Sequence, residues 1–244
     1  GFAQAAFPKG LTTALNAGKE NGICLYTISH SHTCTSLGYF TSQIAREGYI
    51  AIGTTNAPAC VAPPGGNKAL LGTNPIAMAI PSSNNNVAFQ FDQSTSAIAI
   101  GKIRMAAAAG EPIPDGWAID QNGIPTTDAK AALKGSLLSS GGYKGYGFGL
   151  MAEVLASALT SSVSSIDAPP LKTTDGDPHN LGQTYILIDP NYNNQKNHFQ
   201  DKLEALKNAV KAQPNARLPG ADKKISDQVT LDQSLWDQVQ LLAS

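Results

Sequence analysis

The chain has 244 residues, enough to bury a substantial core as one large domain or two small ones. Charged residues make up 14%, below the usual quarter, and 23 glycines with 15 prolines make its loops many and tight. A net charge of −1 with no basic run longer than a pair argues against a nucleic-acid partner, and the lack of any membrane-length apolar run argues against a membrane partner.

Gly1–Gly10 carries no extended apolar core of the signal-peptide kind. The cysteines, Cys24, Cys34 and Cys60, lack CxxC spacing. They predict free thiols in a reducing, cytoplasmic compartment, and Cys24, inside an apolar run, reads as a small buried hydrophobe.

The first helix is predicted over Leu11–Asn21, stopped by Gly22, with a β-branched and aromatic strand over Ile23–Ile28. Polar Ser29–Ser36 leads into a helix over Leu37–Glu47, with Tyr39, Phe40, Ile44 and Ala45 on one face, and Tyr49–Gly53 is a second strand. The double-glycine stretch Asn56–Pro81 follows, with Pro-stiffened turns at Pro63-Pro64-Gly65-Gly66 and Gly72-Thr73-Asn74-Pro75. Such a rigid, amide-rich, low-charge loop suits a small anionic or dinucleotide ligand.

Strands are expected over Ile76–Ile80 and Val87–Phe91, and a helix over Ser94–Ala109. Glu111–Thr127 is loop-rich, with a tight turn at Asn122-Gly123. The glycine cluster Gly141–Gly147 feeds an apolar helix, Leu150–Leu159. Asp167–Pro178 reads as a mobile loop and Gln183–Asp189 as a strand. Gln195–Ala212 is an amphipathic helix with Phe199, Leu203, Leu206 and Val210 on one stripe, and Leu231–Leu242 forms the last helix. Alternating helices and strands give an α/β class.

Neither GxGxxG after a strand nor GxxxxGK[ST] occurs, so a nucleotide would need another cradle. In an extended Ile28–Cys34, the side chains of His30, His32 and Cys34 would share one side, a conceivable metal site. The same residues also read as polar capping groups, or as carrying one acid–base histidine. Lys102, in otherwise apolar Ala97–Met105, is either an exposed helix lysine or a partner for a substrate carboxylate. Lys144, between glycines, suits phosphate or carboxylate but is also compatible with a plain turn. Asp92 is positioned to cap the next helix, whose N-terminus could also attract phosphate.

In register along the chain stand His32 before Leu37-Gly38-Tyr39, Asn56-x-Pro58, Val61-Ala62-Pro63-x-Gly65-Gly66, Gly72-Thr73-Asn74-Pro75-Ile76-Ala77 and Asp92-x-x-Thr95-Ser96. Gly101-Lys102, Ile113-Pro114-x-Gly116-Trp117-Ala118-x-Asp120 and Gly123-x-Pro125-Thr126-Thr127-Asp128 follow. Gly142-Tyr143-Lys144-Gly145-Tyr146-Gly147, Asn180-Leu181-Gly182 and Leu218-Pro219-Gly220 complete the series. Together they resemble the malate/L-lactate dehydrogenase family that lacks a Rossmann fold, which includes ureidoglycolate and sulfolactate dehydrogenases and the pyrroline/piperideine-2-carboxylate reductases.

The resemblance implies a non-Rossmann NAD(P)-binding α/β fold, a mixed sheet with flanking helices. Its cofactor-binding part spans about residues 30–190, with the terminal helices packing on it. It implies hydride transfer between NAD or NADP and a small 2-hydroxy/2-oxo acid, or alternatively reduction of a cyclic imino acid, in a homodimer. His32 matches a histidine proposed as the proton-transfer residue, Thr73 a substrate-contacting threonine with Asn74 beside it, and Lys102 a catalytic and substrate-orienting lysine. By position, His32, Thr33, Cys34, Thr35, Ser36, Asp92, Gln93, Ser94, Lys144, Gly145 and Gly220 match cofactor-contacting stretches. Lys223 and Lys224 beyond them could meet a 2′-phosphate or form a solvated turn. No resident metal is expected.

Lysine at 102, rather than the aspartate of piperideine-2-carboxylate reductases, points to a hydroxy acid, whereas His32-Thr33-Cys34 departs from the common His-Phe-Gly form. The family's Ser-His-Gly-x-x-Arg helical segment is not in the sequence and is expected upstream of Gly1. A third expectation is therefore a catalytically impaired cofactor-binding fragment.

Overall fold

The computed structural model describes residues 1–170, 176–192, 198–220 and 228–243. Strands β1 (Ile23–Ser31), β2 (Ile50–Thr55), β3 (Ile76–Pro81), β4 (Val87–Gln93) and β7 (Leu181–Ile188) form one sheet in the order β1-β7-β2-β3-β4. Every pairing within it is antiparallel. Among the described residues, the mixture expected of the sheet is confined to a parallel bridge between Val61 and Leu137, outside it.

Helices α1 (Ala3–Asn21) and α2 (Leu37–Arg46) cover one face of the sheet. The first begins earlier than its expected Leu11 and contains Pro8; Ala3, Phe7, Ala14 and Gly18 form its buried stripe. Gly10 and Gly18 let aromatic rings approach closely: an added Cβ would lie 2.8 Å from Tyr26 and 2.9 Å from Tyr49. The hydroxyls of those tyrosines donate to the carbonyls of Phe7 and Leu15, both at 2.9 Å. Phe7 packs edge-on to Phe40 and Tyr185, at 5.0 and 5.2 Å between ring centroids. Tyr39 is exposed, so the buried face of α2 is Leu37, Phe40, Thr41, Ile44 and Ala45. Cys24 is half-buried, not fully buried as expected.

A second core gathers Val61, Leu71, Ile103, Ile113, Ala118 and Leu137 around α3 (Ile100–Ala109), the short α4 (Ala129–Lys134) and the two-stranded pair β5 (Ala118–Ile119) and β6 (Ser136–Leu137). The third helix starts six residues later than expected from Ser94, because Thr95 and Ala97 bond Thr73 and Leu138 in extended form. The Asn122-Gly123 turn is an Asx-turn: Asp120 Oδ1 accepts from Asn122 and Ile124 N–H at 2.8 and 3.0 Å.

Helix α5 (Tyr143–Glu153) begins within the glycine cluster and continues as a π-helical turn, Val154–Ala158. On α6 (His198–Lys211) Leu203 is buried and Leu206 exposed, so the expected stripe is only partly covered. The described side chains of α7 (Gln233–Ala243) are exposed. Residues 171–175 of the expected mobile loop and 195–197 of the expected amphipathic helix lie outside the described residues.

Candidate active site

Register brings the chemistry-bearing segments to one end of the sheet. Ser31 pairs with Leu181, Thr55 with Gln183, Thr54 with Ile76 and Ile76 with Gln93. The residues just beyond these pairs, His32, His179, Asn56, Thr73-Asn74 and Ser94, therefore share that end. The outer strands β1 and β4 stand about 19 Å apart, four strand spacings. The loop His32–Ser36 crosses this gap, because Asp92 Oδ2 at the end of β4 accepts from Gly38 N–H at 2.8 Å and Ser36 Oγ at 3.3 Å. Asp92 thus caps α2 rather than the following helix; no side chain of Ser36 itself caps it.

The single-sided arrangement of His30, His32 and Cys34 is not formed. His30 and Thr35 have φ of 51° and 61°, and the strand bulges after Ile28, so the alternation breaks. His30 and His32 are exposed, whereas Cys34 is 2% exposed within the core. Burial pushes the Cys34 thiol up to about 12, with the Asp92 charge adding to the rise. Its carbonyl accepts from Gln4 Nε2 at 3.1 Å and Thr35 Oγ1 at 2.6 Å, which fixes the loop's path. Among the described residues no group of three or more His, Cys, Asp or Glu side chains could hold a metal ion. Likewise, no described helix is long and apolar enough to cross a membrane.

A cavity of about 640 Å³ lies beside β4 and the start of α5. Gln93, Ser94, Thr95, Lys144 and Gly145 line it over an apolar floor of Ile76, Phe91 and Phe148. Gly141 and Gly142 lead into α5 at φ of 65° and 66°, and no side chain caps that helix. Its first N–H groups are therefore open to an anion beside the Lys144 ammonium. An added Cβ at Gly145 would collide with the Ser140 carbonyl.

A second cavity, about 340 Å³, is lined by Thr73, Cys60, Ile100, Arg104, Ser165 and Ile166 among others. Thr95 marks the wall between the two: its N–H and Oγ1 donate to the Thr73 carbonyl at 2.9 and 3.1 Å. Asn74, at 0% exposure, is committed to structure. Its Nδ2 donates to Glu153 Oε2 at 2.7 Å and Gly149 O at 3.2 Å, and its Oδ1 accepts from Ala57 N–H and Ser165 Oγ. Glu153 also accepts from the Ser165 N–H at 2.7 Å and, by a very short bond, from its hydroxyl. This network fixes the backbone on which Thr73 sits.

Lys102 is exposed on α3 and lines neither cavity. Gly220 packs against β4, where a Cβ would lie 2.8 Å from the Gln90 carbonyl, and Gln90 N–H donates to Pro219 O at 3.3 Å. Lys223 and Lys224 lie outside the described residues. Two residues escape a reading by motif. Arg104 lies just past Gly101-Lys102 on the cavity side of α3, and His179 lies directly before Asn180-Leu181-Gly182. At 8% exposure, His179 has a buried Nε2 without a hydrogen-bond partner.

The sequence model of the malate/L-lactate dehydrogenase family matches residues 1–240. The chain belongs to the malate/L-lactate dehydrogenase family. It is 38% identical over 224 residues to the (2R)-3-sulfolactate dehydrogenase (NADP(+)) of Chromohalobacter salexigens, covering 90% of this chain and 65% of that protein. Identity is also 38% over 190 residues to the Delta(1)-pyrroline-2-carboxylate/Delta(1)-piperideine-2-carboxylate reductase of Pseudomonas aeruginosa, covering 78% of this chain and 57% of that protein. The chain thus spans less than two thirds of the length of these relatives. Among solved structures, the delta1-piperideine-2-carboxylate reductase of Pseudomonas syringae pvar. tomato superposes with a TM-score of 0.86 at 30% identity, over 99% of this chain and 74% of that one. The family's α/β fold, an antiparallel sheet with flanking helices, is the fold of this chain.

Proposed function

We propose that this family member is an NAD(P)-dependent oxidoreductase acting on a small 2-hydroxy/2-oxo acid. One observation carries the reading: Gln93, Ser94, Lys144 and Gly145, four positions matching cofactor contacts, line a single 640 Å³ cavity that ends in an uncapped helix N-terminus. That donor set fits the phosphates of a dinucleotide, held by amides and an ammonium without a glycine fingerprint.

The chemistry a nicotinamide coenzyme supplies is a hydride, given to carbon 2 of an oxo acid or taken back from the hydroxy acid. His32, exposed at the sheet end, holds the proton delivered to the substrate oxygen. Thr73 orients the acid, Lys102 stands outside as a second cation, and the loop Thr33–Ser36 with Asp92 closes the coenzyme's side. Cofactor binding is assigned to about residues 30–190, which hold four of the five strands of the main sheet and both cavities.

A cyclic imino acid is the second reading, favoured by the pyrroline- and piperideine-2-carboxylate reductases among the relatives. Fluorescence titration with NADH and NADPH, followed by assays on pyruvate, oxaloacetate and pyrroline-2-carboxylate, separates these readings. Coenzyme binding without turnover of any acid would identify a cofactor-binding fragment instead. No binding of either coenzyme would remove the whole proposal.

The working form is a homodimer. Support comes from α5 and the turn after it, which expose the large apolar side chains Tyr143, Phe148, Leu150, Met151 and Val154. Three free thiols support a cytoplasmic location.

A further inference from the structure

Helix α5 serves both cavities. Near its start Lys144, Gly145 and Phe148 line the 640 Å³ cavity, and about 14 Å further along the helix Glu153 grips the turn that carries Thr73 to the 340 Å³ one. Between these ends Gly149 runs against the dividing wall. An added Cβ there would lie 3.1 Å from Thr95 Oγ1, and the Gly149 carbonyl accepts from Asn74 Nδ2 at 3.2 Å. Directly after Glu153 the helix widens into its π-helical turn.

The Glu153 carboxylate is half-buried and has no cationic partner among the described residues. Neutral donors hold it: Asn74 Nδ2 on Oε2 and the Ser165 N–H on Oε1, both at 2.7 Å, with the Ser165 hydroxyl on Oε2 by a very short bond. Withdrawing a charge from water is costly without an ion partner, so what the carboxylate offers here is acceptors on both oxygens. A carboxamide would set an N–H against one of those donors. Asn74 has a φ of 33°, left-handed backbone in a residue that is not glycine. Such a conformation persists where its surroundings over-determine it. Thr95 supplies one restraint, donating from Oγ1 to the carbonyls of Thr73 and Asn74 at 3.1 and 3.2 Å, and Glu153 supplies the other through the Asn74 side chain.

We infer that Glu153 is a positioning residue for the acid site: it holds Asn74 in the left-handed turn that presents Thr73 to the second cavity. The role rests on the reading that Thr73 orients the acid. Glu153 touches neither the acid nor the coenzyme and acts through Thr73 alone. Replacing it by glutamine keeps the volume and removes one charge-assisted bond, a factor of about 10 in how well the turn is held.

The test is a double-mutant cycle of Glu153→Gln with Thr73→Val. It is read in KM and kcat for whichever of oxaloacetate, pyruvate and pyrroline-2-carboxylate turns over, and in the Kd of NADH and NADPH. Glu153→Gln is expected to raise the acid KM about tenfold, with kcat within about threefold and coenzyme Kd within about twofold. A loss of folded protein would instead lower kcat and leave KM untouched, so the split separates positioning from destabilisation. In the Thr73→Val background Glu153→Gln should raise KM no further. Additive KM effects, an unchanged KM in Glu153→Gln, or equal losses of acid and coenzyme binding overturn the role. If the wild type turns over no acid, calorimetry with malate and lactate on the coenzyme-loaded protein reads the same cycle as Kd. Non-additive losses there uphold Glu153 while the turnover reading fails; a coenzyme-loaded wild type that binds neither acid sinks the acid site and the role of Glu153 with it.

Discussion

The imidazole of His32 stands perpendicular to that of His179, with ring centroids 4.5 Å apart. One ring is exposed at the end of β1; the other is buried at the start of β7 with its Nε2 unpaired. Burying a polar atom without a partner costs about 1–3 kcal/mol, and such costs gather where a ligand completes the bonding. His32→Ala is expected to lower kcat by about 10²–10⁴-fold while coenzyme affinity holds. Steady-state kinetics beside fluorescence titration checks this, and unchanged turnover would take His32 out of the mechanism. His179→Leu should separate the two properties: stability rises by about 1 kcal/mol as the unpaired atom goes, and turnover falls. A variant that loses both would reduce His179 to packing.

Lys144 sits at the open N-terminus of α5, exposed and without an ion-pair partner among the described residues. Lys144→Ala is expected to weaken NADH or NADPH binding about tenfold, the modest worth of a solvent-screened charged contact. The deficit should shrink as salt is raised. Affinity unaffected at low ionic strength would place the coenzyme elsewhere.

Asp92 ties β4 to α2 through the Gly38 N–H at 2.8 Å, and a Cβ on Gly38 would lie 3.1 Å from the Asp92 Cβ. Asp92→Ala should cost about 1 kcal/mol in chemical denaturation, the usual worth of an N-terminal cap. It should also loosen the His32–Ser36 crossing and so raise coenzyme Kd. Asp92→Asn, which keeps an acceptor oxygen, should retain most of the stability.

Burial raises the thiols of Cys34 and Cys60 from 9.0 to about 12 and about 11, with the Asp92 charge adding to the first and Arg104 opposing the second. The folded state therefore holds protons that the unfolded chain gives up. Their contribution to stability is complete below pH 9 and is lost as pH climbs from 9 toward 12, by up to about 1.4 kcal/mol per pH unit for each thiol. Denaturation of the wild type and Cys34→Ala across that window should show the shallower slope in the variant. At pH 8 both thiols should also resist alkylation in the native protein and react after unfolding.

Much of the scaffold was legible locally. Short apolar runs bounded by turn residues located β2, β3, β4 and β7 within a few residues, and a helical stripe located α2. Helix α1 was read only from Leu11, whereas it begins at Ala3 and runs through Pro8 and Gly10, where the close approach of Tyr26 rewards glycine. The start of α3 was misplaced because Thr95 and Ala97 find partners on segments distant in the chain, Thr73 and Leu138. Motifs also pointed to Gln93, Ser94, Lys144 and Gly145, which meet in one cavity. They could not find His179, since neighbours in sequence reveal no burial.

By itself the sequence determined the family, the strand and helix repertoire, and the anion-friendly glycine turns, all of which follow from short-range sterics and hydrophobic period. Only the tertiary structure decided which helix Asp92 caps, that Cys34 is core, and that Asn74 is locked to Glu153. Those outcomes depend on contacts between residues far apart in the chain, where a side chain's role is set by whichever partner the antiparallel register brings within hydrogen-bond reach.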